Sequence, residues 1–259
     1  MAKKEEPIQQ EEHFEIADPE GTDVITWEEA LRAKMQQQSA QRAALSTGPK
    51  FLGFRGGALQ IDKVPVPGNK LTIVILAFCA ENAWYKGKFD PTKTQTPACW
   101  AVYNDVLEME PHPTVKNPIN PECATCPKFQ WGSDPMGGRG KACHQRYRFA
   151  CISFNQDDTA AIKTAELRFA TLPVTSGKAF EDYMSKIEMM YQRPLFGVFT
   201  EVSVVPDDKT QFKVVFTEKE LVPLEAMAAL LERINGAEKD VKYDYVDVEA
   251  EAVAPSKKV

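Results

Sequence analysis

The stretch KLTIVILAFCAENAWYKGK, residues 70–88, opens with the longest apolar run of the chain, Leu71–Ala80. This run is far shorter than the ~20 residues that a helix needs to span a bilayer. A turn-rich segment, Pro65–Asn69, precedes it, and an apolar run bounded by turn residues is typical of a buried strand. The sequence therefore predicts a strand over residues 70–88, and the rest of the fold is worked out from it.

Further segments with strand-like patterns lie on both sides of this run, and helical patterns are fewer. We expect strands at residues 51–60, 146–154, 166–171, 195–205 and 211–216. We expect helices at residues 27–45, 176–191 and 223–234, the last ended by Asn235-Gly236. Because strands and helices do not alternate, neighbouring strands should pair antiparallel. The predicted fold is mainly β with peripheral helices (α+β), an OB-fold-like antiparallel barrel that carries a zinc-binding loop insertion.

Charge is distributed unevenly along the 259 residues. The net charge is −6, but residues 1–30 alone hold ten acids and two lysines, and a second acidic stretch lies between residues 237 and 252. Residues 126–148, by contrast, hold five cations and one acid. We expect both acidic ends, residues 1–25 and 237–259, to be disordered. A helix at 26–48 would then join the acidic arm to a main domain at 49–236.

Composition is typical of a soluble globular protein, with 43% hydrophobic and 26% charged residues. The N-terminus MAKKEEPIQQEEHFE lacks the apolar region of a secretory signal, so we expect a cytoplasmic protein. Six cysteines in a reducing cytoplasm are not expected to form disulfides. Cytoplasmic cysteines that do not form disulfides often bind a metal ion instead.

Four of the six cysteines have a spacing that predicts one structural zinc ion per chain. They are Cys99, Cys123, Cys126 and Cys143. Two thiolates in a C-x2-C turn can reach one ion, and two more distant ones can complete a tetrahedron. Residues 91–148 show no hydrophobic periodicity, so metal binding, worth roughly 10–16 kcal/mol in small zinc modules, would order them. His112 or His144 could replace Cys99 as the fourth ligand.

The remaining thiols have other interpretations. Cys79 and Cys151 lie in apolar, strand-like runs, where we expect them to pack in the core. A thioredoxin-type C-x-x-C pair should begin a helix after a strand, whereas Cys123 follows Pro121 in a proline-rich loop. Because four cysteines would fill the coordination shell, the predicted zinc has no open position for catalysis.

Several short motifs together resemble a family of tailed-bacteriophage single-stranded DNA-binding proteins. The motifs are Pro97-Ala98-Cys99-Trp100, C-x2-C-P at Cys123–Pro127, W-G-S at Trp131–Ser133, G-x-G-K-x-C at Gly138–Cys143, and the later stretches Ser176–Tyr183, Gly197–Thr200 and Lys213–Phe216. The resemblance covers residues 50–220. It implies an OB-fold core, a role in phage DNA replication, recombination or repair in the host cytoplasm, and acidic termini that recruit replication or recombination proteins.

Rings and cations alternate in two parts of the chain, as single-strand binding requires. Phosphates need cations, and each base stacked on a ring contributes roughly 1–3 kcal/mol. The predicted single-stranded DNA contacts are Trp84, Tyr85, Lys86, Lys88, Phe129, Trp131, Arg139, Lys141, Arg146 and Arg148. A third cluster of the same kind is Phe51, Phe54 and Arg55. For Phe149, Phe154 and Phe169 we expect core packing instead.

Enzymatic motifs are missing from the sequence. The three histidines form no recognisable nucleophilic set, and no Walker loop, dinucleotide fingerprint or HExxH motif occurs. We therefore expect a non-enzymatic protein that coats single-stranded DNA without sequence preference. The alternative is a zinc-stapled adaptor that binds a host enzyme and does not contact DNA.

Overall fold

The computed structural model describes residues 15–17, 24–45, 48–87, 95–154 and 159–245. The chain divides into two compact units, Met1–Gly48 and Pro49–Val259. Of the predicted contact residues, Lys88 lies outside the described residues.

In the first unit, the described residues form a short antiparallel strand pair followed by a helix. Strands β1 (Glu15–Ala17) and β2 (Val24–Thr26) pair, and helix α1 runs over Trp27–Leu45. The helix is the one that the sequence predicts. The strands lie within or at the edge of the arm expected to be disordered, so that expectation does not hold for them.

The second unit is built on one sheet of nine described strands. In chain order these are β3 (Lys50–Gly53), β4 (Gln60–Ile61), β5 (Val64–Pro65), β6 (Lys70–Trp84), β7 (Cys99–Tyr103), β8 (His144–Ile152), β9 (Arg168–Thr171), β10 (Val198–Asp207) and β11 (Gln211–Leu221). The spatial order is β11-β10-β6-β8-β9-β3-β4-β5, and β7 pairs with the last residues of β6, on the edge opposite β8. The long strand β6 lies near the centre, as expected of the most apolar run of the chain.

The sheet curls into a half-barrel, and this corrects part of the predicted fold class. A mainly β, α+β protein is confirmed, but β3 pairs parallel to β9, so the sheet is mixed. The predicted strand at residues 51–60 is interrupted by a 3-10 turn at Arg55–Gly57, where Gly56 has φ 63°. Glycine adopts this left-handed conformation without the steric cost that a Cβ would add.

Two helices cover opposite faces of the sheet, and a β-bulge sets which residues face each one. Helix α2 (Gly177–Tyr191) packs on a core that includes Ile73 and Ile75 of β6. Helix α3 (Met227–Asp240) packs on a second core that includes Ala77 and Cys79. The register of β6 against β8 shifts between Ile75 and Ala77, so one extra residue reverses the alternation of side chains.

The C-terminal boundary of the folded part lies beyond the predicted one. Helix α3 continues through Asn235-Gly236 because its buried residues Leu230, Ile234 and Ala237 keep a helical spacing on the core. That burial outweighs the ~1 kcal/mol helix penalty of one glycine. Residues 237–245, expected to be disordered, are part of the fold, and Val241 is buried. Residues 246–259 lie outside the described residues.

Among the described residues, no helix is long and apolar enough to cross a membrane.

Candidate nucleic-acid interface

The cysteine-containing loop, residues 104–143, connects β7 to β8 and has its own small core. Tyr103, Met109 and Cys123 are buried together there, with Phe129 packed against them. Backbone hydrogen bonds close the loop on itself: the Cys143 amide donates to the Lys128 carbonyl at 2.7 Å, and the Gly132 amide to that of Gly140 at 2.9 Å. The loop is therefore ordered by apolar packing and backbone hydrogen bonds.

The four cysteines predicted to bind zinc are buried and line one small apolar cavity. Burial, followed by the charges of the neighbouring sulfurs, raises the pKa of Cys123 to about 11 and that of Cys143 to about 12. In the described part of the chain, no group of three or more His, Cys, Asp or Glu side chains is arranged to hold a metal ion. The zinc prediction is therefore wrong, and so is the zinc-binding insertion.

The error has a physical cause. The prediction rests on the idea that a loop without hydrophobic periodicity needs a metal to become ordered, but Met109 and Phe129 supply an apolar cluster that no periodic pattern in the sequence indicates. Neither histidine alternative replaces Cys99, because neither His112 nor His144 lines the cysteine cavity, and His144 is exposed. His112 stacks on Trp100 with ring centroids 3.8 Å apart, and its Nε2 lies 3.3 Å from Asp244 Oδ1.

Rings and ammonium groups meet on the surface of this loop. Lys141 Nζ lies 3.7 Å from the ring centroid of Phe129 and 5.0 Å from that of Trp131. Lys128 Nζ lies 5.9 Å from the ring centroid of Trp84. Trp84, Lys128 and Phe129 also line the small cavity that the four cysteines line, so these five residues are neighbours, and we call them the aromatic–cation surface.

Trp131 is the most exposed member of this surface, with 78% of its area accessible. It lies in a turn in which the next residue, Gly132, has φ 81°. Of the other predicted contacts, Lys86 and Arg139 are exposed, and Tyr85 is partly buried beside Arg146. A large exposed indole with a lysine beside it can stack on a base and hold the adjacent phosphate.

Two predicted phosphate contacts face the other side of the sheet. Arg146 Nε donates to Glu81 Oε2 at 2.7 Å, and Arg148 Nη2 donates to Glu81 Oε1 at 2.7 Å. The Arg148 side chain is fully buried and that of Arg146 is 19% exposed. Their charges are therefore used inside the protein, and we remove Arg148 from the phosphate candidates.

The reason is the alternation of side chains along β8. Arg146 and Arg148 lie opposite Glu81 and Cys79 of β6, on the face that carries α3, whereas Tyr147 between them faces α2. The five cations of residues 126–148 therefore do not lie on one surface: three belong to the loop, and two lie on the face of the sheet that carries α3. Only the loop cations remain on the aromatic–cation surface.

The C-terminal segment Val241–Tyr245 completes the buried ion network and was missed by the sequence reasoning. Arg148 Nη1 donates to the Tyr243 carbonyl at 2.6 Å, and the guanidinium lies 4.2 and 4.9 Å from the ring centroids of Tyr243 and Tyr245. Tyr245 also donates a hydrogen bond to Glu81. The sequence did contain one indication of this network. Glu81 lies in an apolar strand, and a buried carboxylate needs cationic partners.

The third ring cluster is divided. Phe54 is buried, whereas Phe51 is 39% exposed and packs edge-to-face on Tyr243 at 5.3 Å. Arg55 is exposed. Phe149 and Phe169 are buried, as predicted, and Phe154 is partly buried against Phe199.

No protein-family model matches the chain, and no curated protein or solved structure matches it at a significant level.

Proposed function

We propose that this protein binds single-stranded DNA without sequence preference and acts in phage DNA replication, recombination or repair. The observation that carries the proposal is the position of Lys141, which is close to the rings of both Phe129 and Trp131 while Trp131 is exposed. Stacking on rings with cations alongside is how proteins bind single strands regardless of base. The place in phage DNA metabolism rests on the sequence resemblance alone.

The rest of the proposed site follows from exposure. Lys128, Lys141 and the exposed Lys86 and Arg139 would contact phosphates, and Trp84, Phe129 and Trp131 would stack on bases. Arg146 is mostly shielded from solvent. It would support DNA binding by holding Tyr85 in place, because it donates a hydrogen bond to the Tyr85 hydroxyl. We further propose that the half-barrel serves as an OB-fold-like frame for the loop.

The direct test is a titration of the protein with a long oligothymidylate, followed by tryptophan fluorescence. Trp131→Ala should remove the part of the quenching that comes from Trp131, leaving that of Trp84, and cost roughly 1–3 kcal/mol of binding free energy with an unchanged salt slope. Met136→Ala is the matched control, because Met136 is an equally exposed apolar residue of the same loop, at 77%. It should bind like the unmodified protein.

Cation and ring variants should differ in salt dependence. Lys141→Ala should weaken binding of every sequence by a similar factor and reduce the salt slope by about 0.7. Lys116→Ala, an exposed lysine elsewhere in the loop, is its control. Absence of both quenching and a mobility shift at low salt would refute the proposal and favour an adaptor that does not contact DNA.

A further inference from the structure

The rings and the lysine at the exposed end of the aromatic–cation surface come from two different arms of the cysteine-containing loop. The first arm, residues 128–133, carries Phe129 and Trp131, and the second arm, residues 139–143, carries Lys141. These arms contain the W-G-S and G-x-G-K-x-C motifs. The distances of 3.7 and 5.0 Å from the Lys141 ammonium group to the two ring centroids therefore depend on how the arms are joined.

Backbone hydrogen bonds join the arms at two places. The Cys143 amide donates to the Lys128 carbonyl at 2.7 Å, and the Gly132 amide donates to the Gly140 carbonyl at 2.9 Å. The residue that bears the ammonium group lies between these two places on the second arm. Its position therefore depends on what holds the backbone there.

Between the two places, the tie is a side chain, that of Ser133. Its hydroxyl accepts a hydrogen bond from the Ala142 amide at 2.9 Å and donates one to the Lys128 carbonyl at 2.9 Å. A serine hydroxyl can donate and accept at the same time. Ala142 is only 7% exposed, so its amide would be costly to leave unpaired. The Ser133 hydroxyl thus fixes the residue that directly follows Lys141.

Ion pairs do not hold Lys141 in place. Among the residues that the structure describes, no carboxylate pairs with it. Asp134, the one acid of residues 126–148, is turned into its own turn. Its Oδ1 accepts a hydrogen bond from the Met136 amide at 2.9 Å, and a Cβ added to Gly140 would lie 3.1 Å from its Oδ2. The place of the ammonium group beside the rings therefore depends on the backbone of the second arm.

We propose that Ser133 is the positioning residue of the aromatic–cation surface. Its hydroxyl holds the second arm against the first, so that the Lys141 ammonium group lies beside the rings of both Phe129 and Trp131. This assigns a role to the serine of the W-G-S motif, which the proposed DNA contacts do not use. The consequence for DNA rests on the proposed function, whereas the geometric consequence does not.

The first test measures the position of Lys141 without DNA, by NMR of the full chain with labelled lysine. The ε-methylene protons of Lys141 lie near the face of Phe129, so the ring current should shift their resonance upfield. Ser133→Ala should move this resonance toward that of the exposed Lys116, and Ser133→Thr, which keeps a hydroxyl, should preserve it. Lys141→Arg identifies the resonance by removing it. An unchanged resonance in Ser133→Ala would refute the proposal.

Two controls separate positioning from general ordering of the loop. The methyl resonance of Met109, which is buried in the core of the loop, should be unchanged in Ser133→Ala. Thr125→Ala removes another hydroxyl of the loop, one that donates to the Glu122 carbonyl within a separate turn, and should leave the Lys141 resonance unchanged. A shift of the Met109 methyl in Ser133→Ala would show that the loop itself is disordered, which would assign Ser133 a structural role only and overturn the proposal.

The second test is a double-mutant cycle on binding of a long oligothymidylate. Ser133→Ala should weaken binding about two- to tenfold, the effect of one hydrogen bond, and should lower the salt slope as Lys141→Ala does. Because it acts through Lys141, it should have no further effect in the Lys141→Ala protein, and additive effects would overturn the proposal. Absence of binding by the unmodified chain would refute the DNA-binding proposal alone, since the NMR comparison still decides the role of Ser133.

Discussion

At the scale of single residues, Glu81 is the centre of a buried ion network on the face of the sheet that carries α3. Its carboxylate is fully buried and accepts hydrogen bonds from Arg146, Arg148 and Tyr245. A buried carboxylate is stable only with such partners, and each partner depends on it in turn. The same contacts bury the Arg148 guanidinium completely and shield most of that of Arg146, so Arg148 is not available to phosphate.

Glu81→Gln should destabilise the fold by about 3–5 kcal/mol, because it leaves two arginines with an unbalanced buried charge. The free energy of unfolding in urea measures this. Glu220→Gln, an exposed glutamate on β11, is the control and should change it by less than about 0.5 kcal/mol. A cost for Glu81→Gln as small as that of the control would mean that the network does not stabilise the fold.

The same residue predicts a dependence on pH. Burial by itself would raise the pKa of Glu81, but the charges of Arg146 and Arg148 and the hydrogen bonds of Arg148 and Tyr245 outweigh it, so the folded-state pKa is lowered. The stabilisation is therefore complete above the unfolded-state pKa of about 4.3 and is lost as the pH falls through the folded-state value.

Urea unfolding at a series of pH values should show the difference in stability between the unmodified chain and Glu81→Gln narrowing as the pH falls below about 4. Other carboxylates contribute equally to both proteins and cancel. A difference that stays constant down to the acid limit of folding would contradict the assigned charge of Glu81.

At the scale of elements, the segment Val241–Tyr245 acts as part of the core although it has no regular secondary structure. Tyr243 and Tyr245 cover the Arg148 guanidinium, and Tyr243 also shares a hydrogen bond with Thr171. Removal of this segment would expose a cation that the sheet itself cannot neutralise completely. The fold thus depends on a stretch that composition alone assigns to an acidic tail.

Truncation after Asp240 should therefore lower the free energy of unfolding by about 3–5 kcal/mol, comparable to the loss of a large buried aromatic side chain. Truncation after Tyr245 keeps every described contact of the segment and serves as the control. Tyr245→Phe, which removes only the phenolic hydrogen bonds, should cost about 1–2 kcal/mol. Equal stability of the two truncated chains would show that the segment is dispensable.

At the scale of the whole molecule, net charge is a poor guide to the binding surface. The net charge of −6 results from acidic ends, and residues 1–30 contribute more than all of it. The second unit, Pro49–Val259, contains the sheet, both of its cores and the aromatic–cation surface. Because the acidic arm belongs to the same chain as the aromatic–cation surface, we expect it to compete with DNA for that surface.

Deletion of residues 1–25 should leave the fold of the second unit intact and raise the affinity for single-stranded DNA at low salt, an effect that added salt should diminish. Fluorescence titration measures the affinity and circular dichroism the fold. Replacing the acids of the arm with their amides is the matched control and should raise the affinity similarly. Unchanged affinity in both proteins would contradict competition and leave partner recruitment as the role of the arm.

Local sequence patterns determined most of the secondary structure. Helices α1 and α2, the hairpin of β10 and β11, and the long strand β6 follow from apolar spacing and turn residues that act over a few positions. The rings and lysines of the cysteine-containing loop were also identified from the sequence, because stacking and phosphate binding require those residue types. The ordering of that loop without metal was not predictable, since Met109 and Phe129 meet only after the chain folds.

The tertiary structure alone decided which side each residue faces. The bulge between Ile75 and Ala77 reverses the alternation of β6, so that Glu81 meets Arg146 and Arg148 on the face of α3. One extra residue in a ladder changes every later side chain from one face to the other, and neither composition nor spacing reveals it. The parallel pairing of β3 with β9 depends in the same way on contacts between residues distant in the chain.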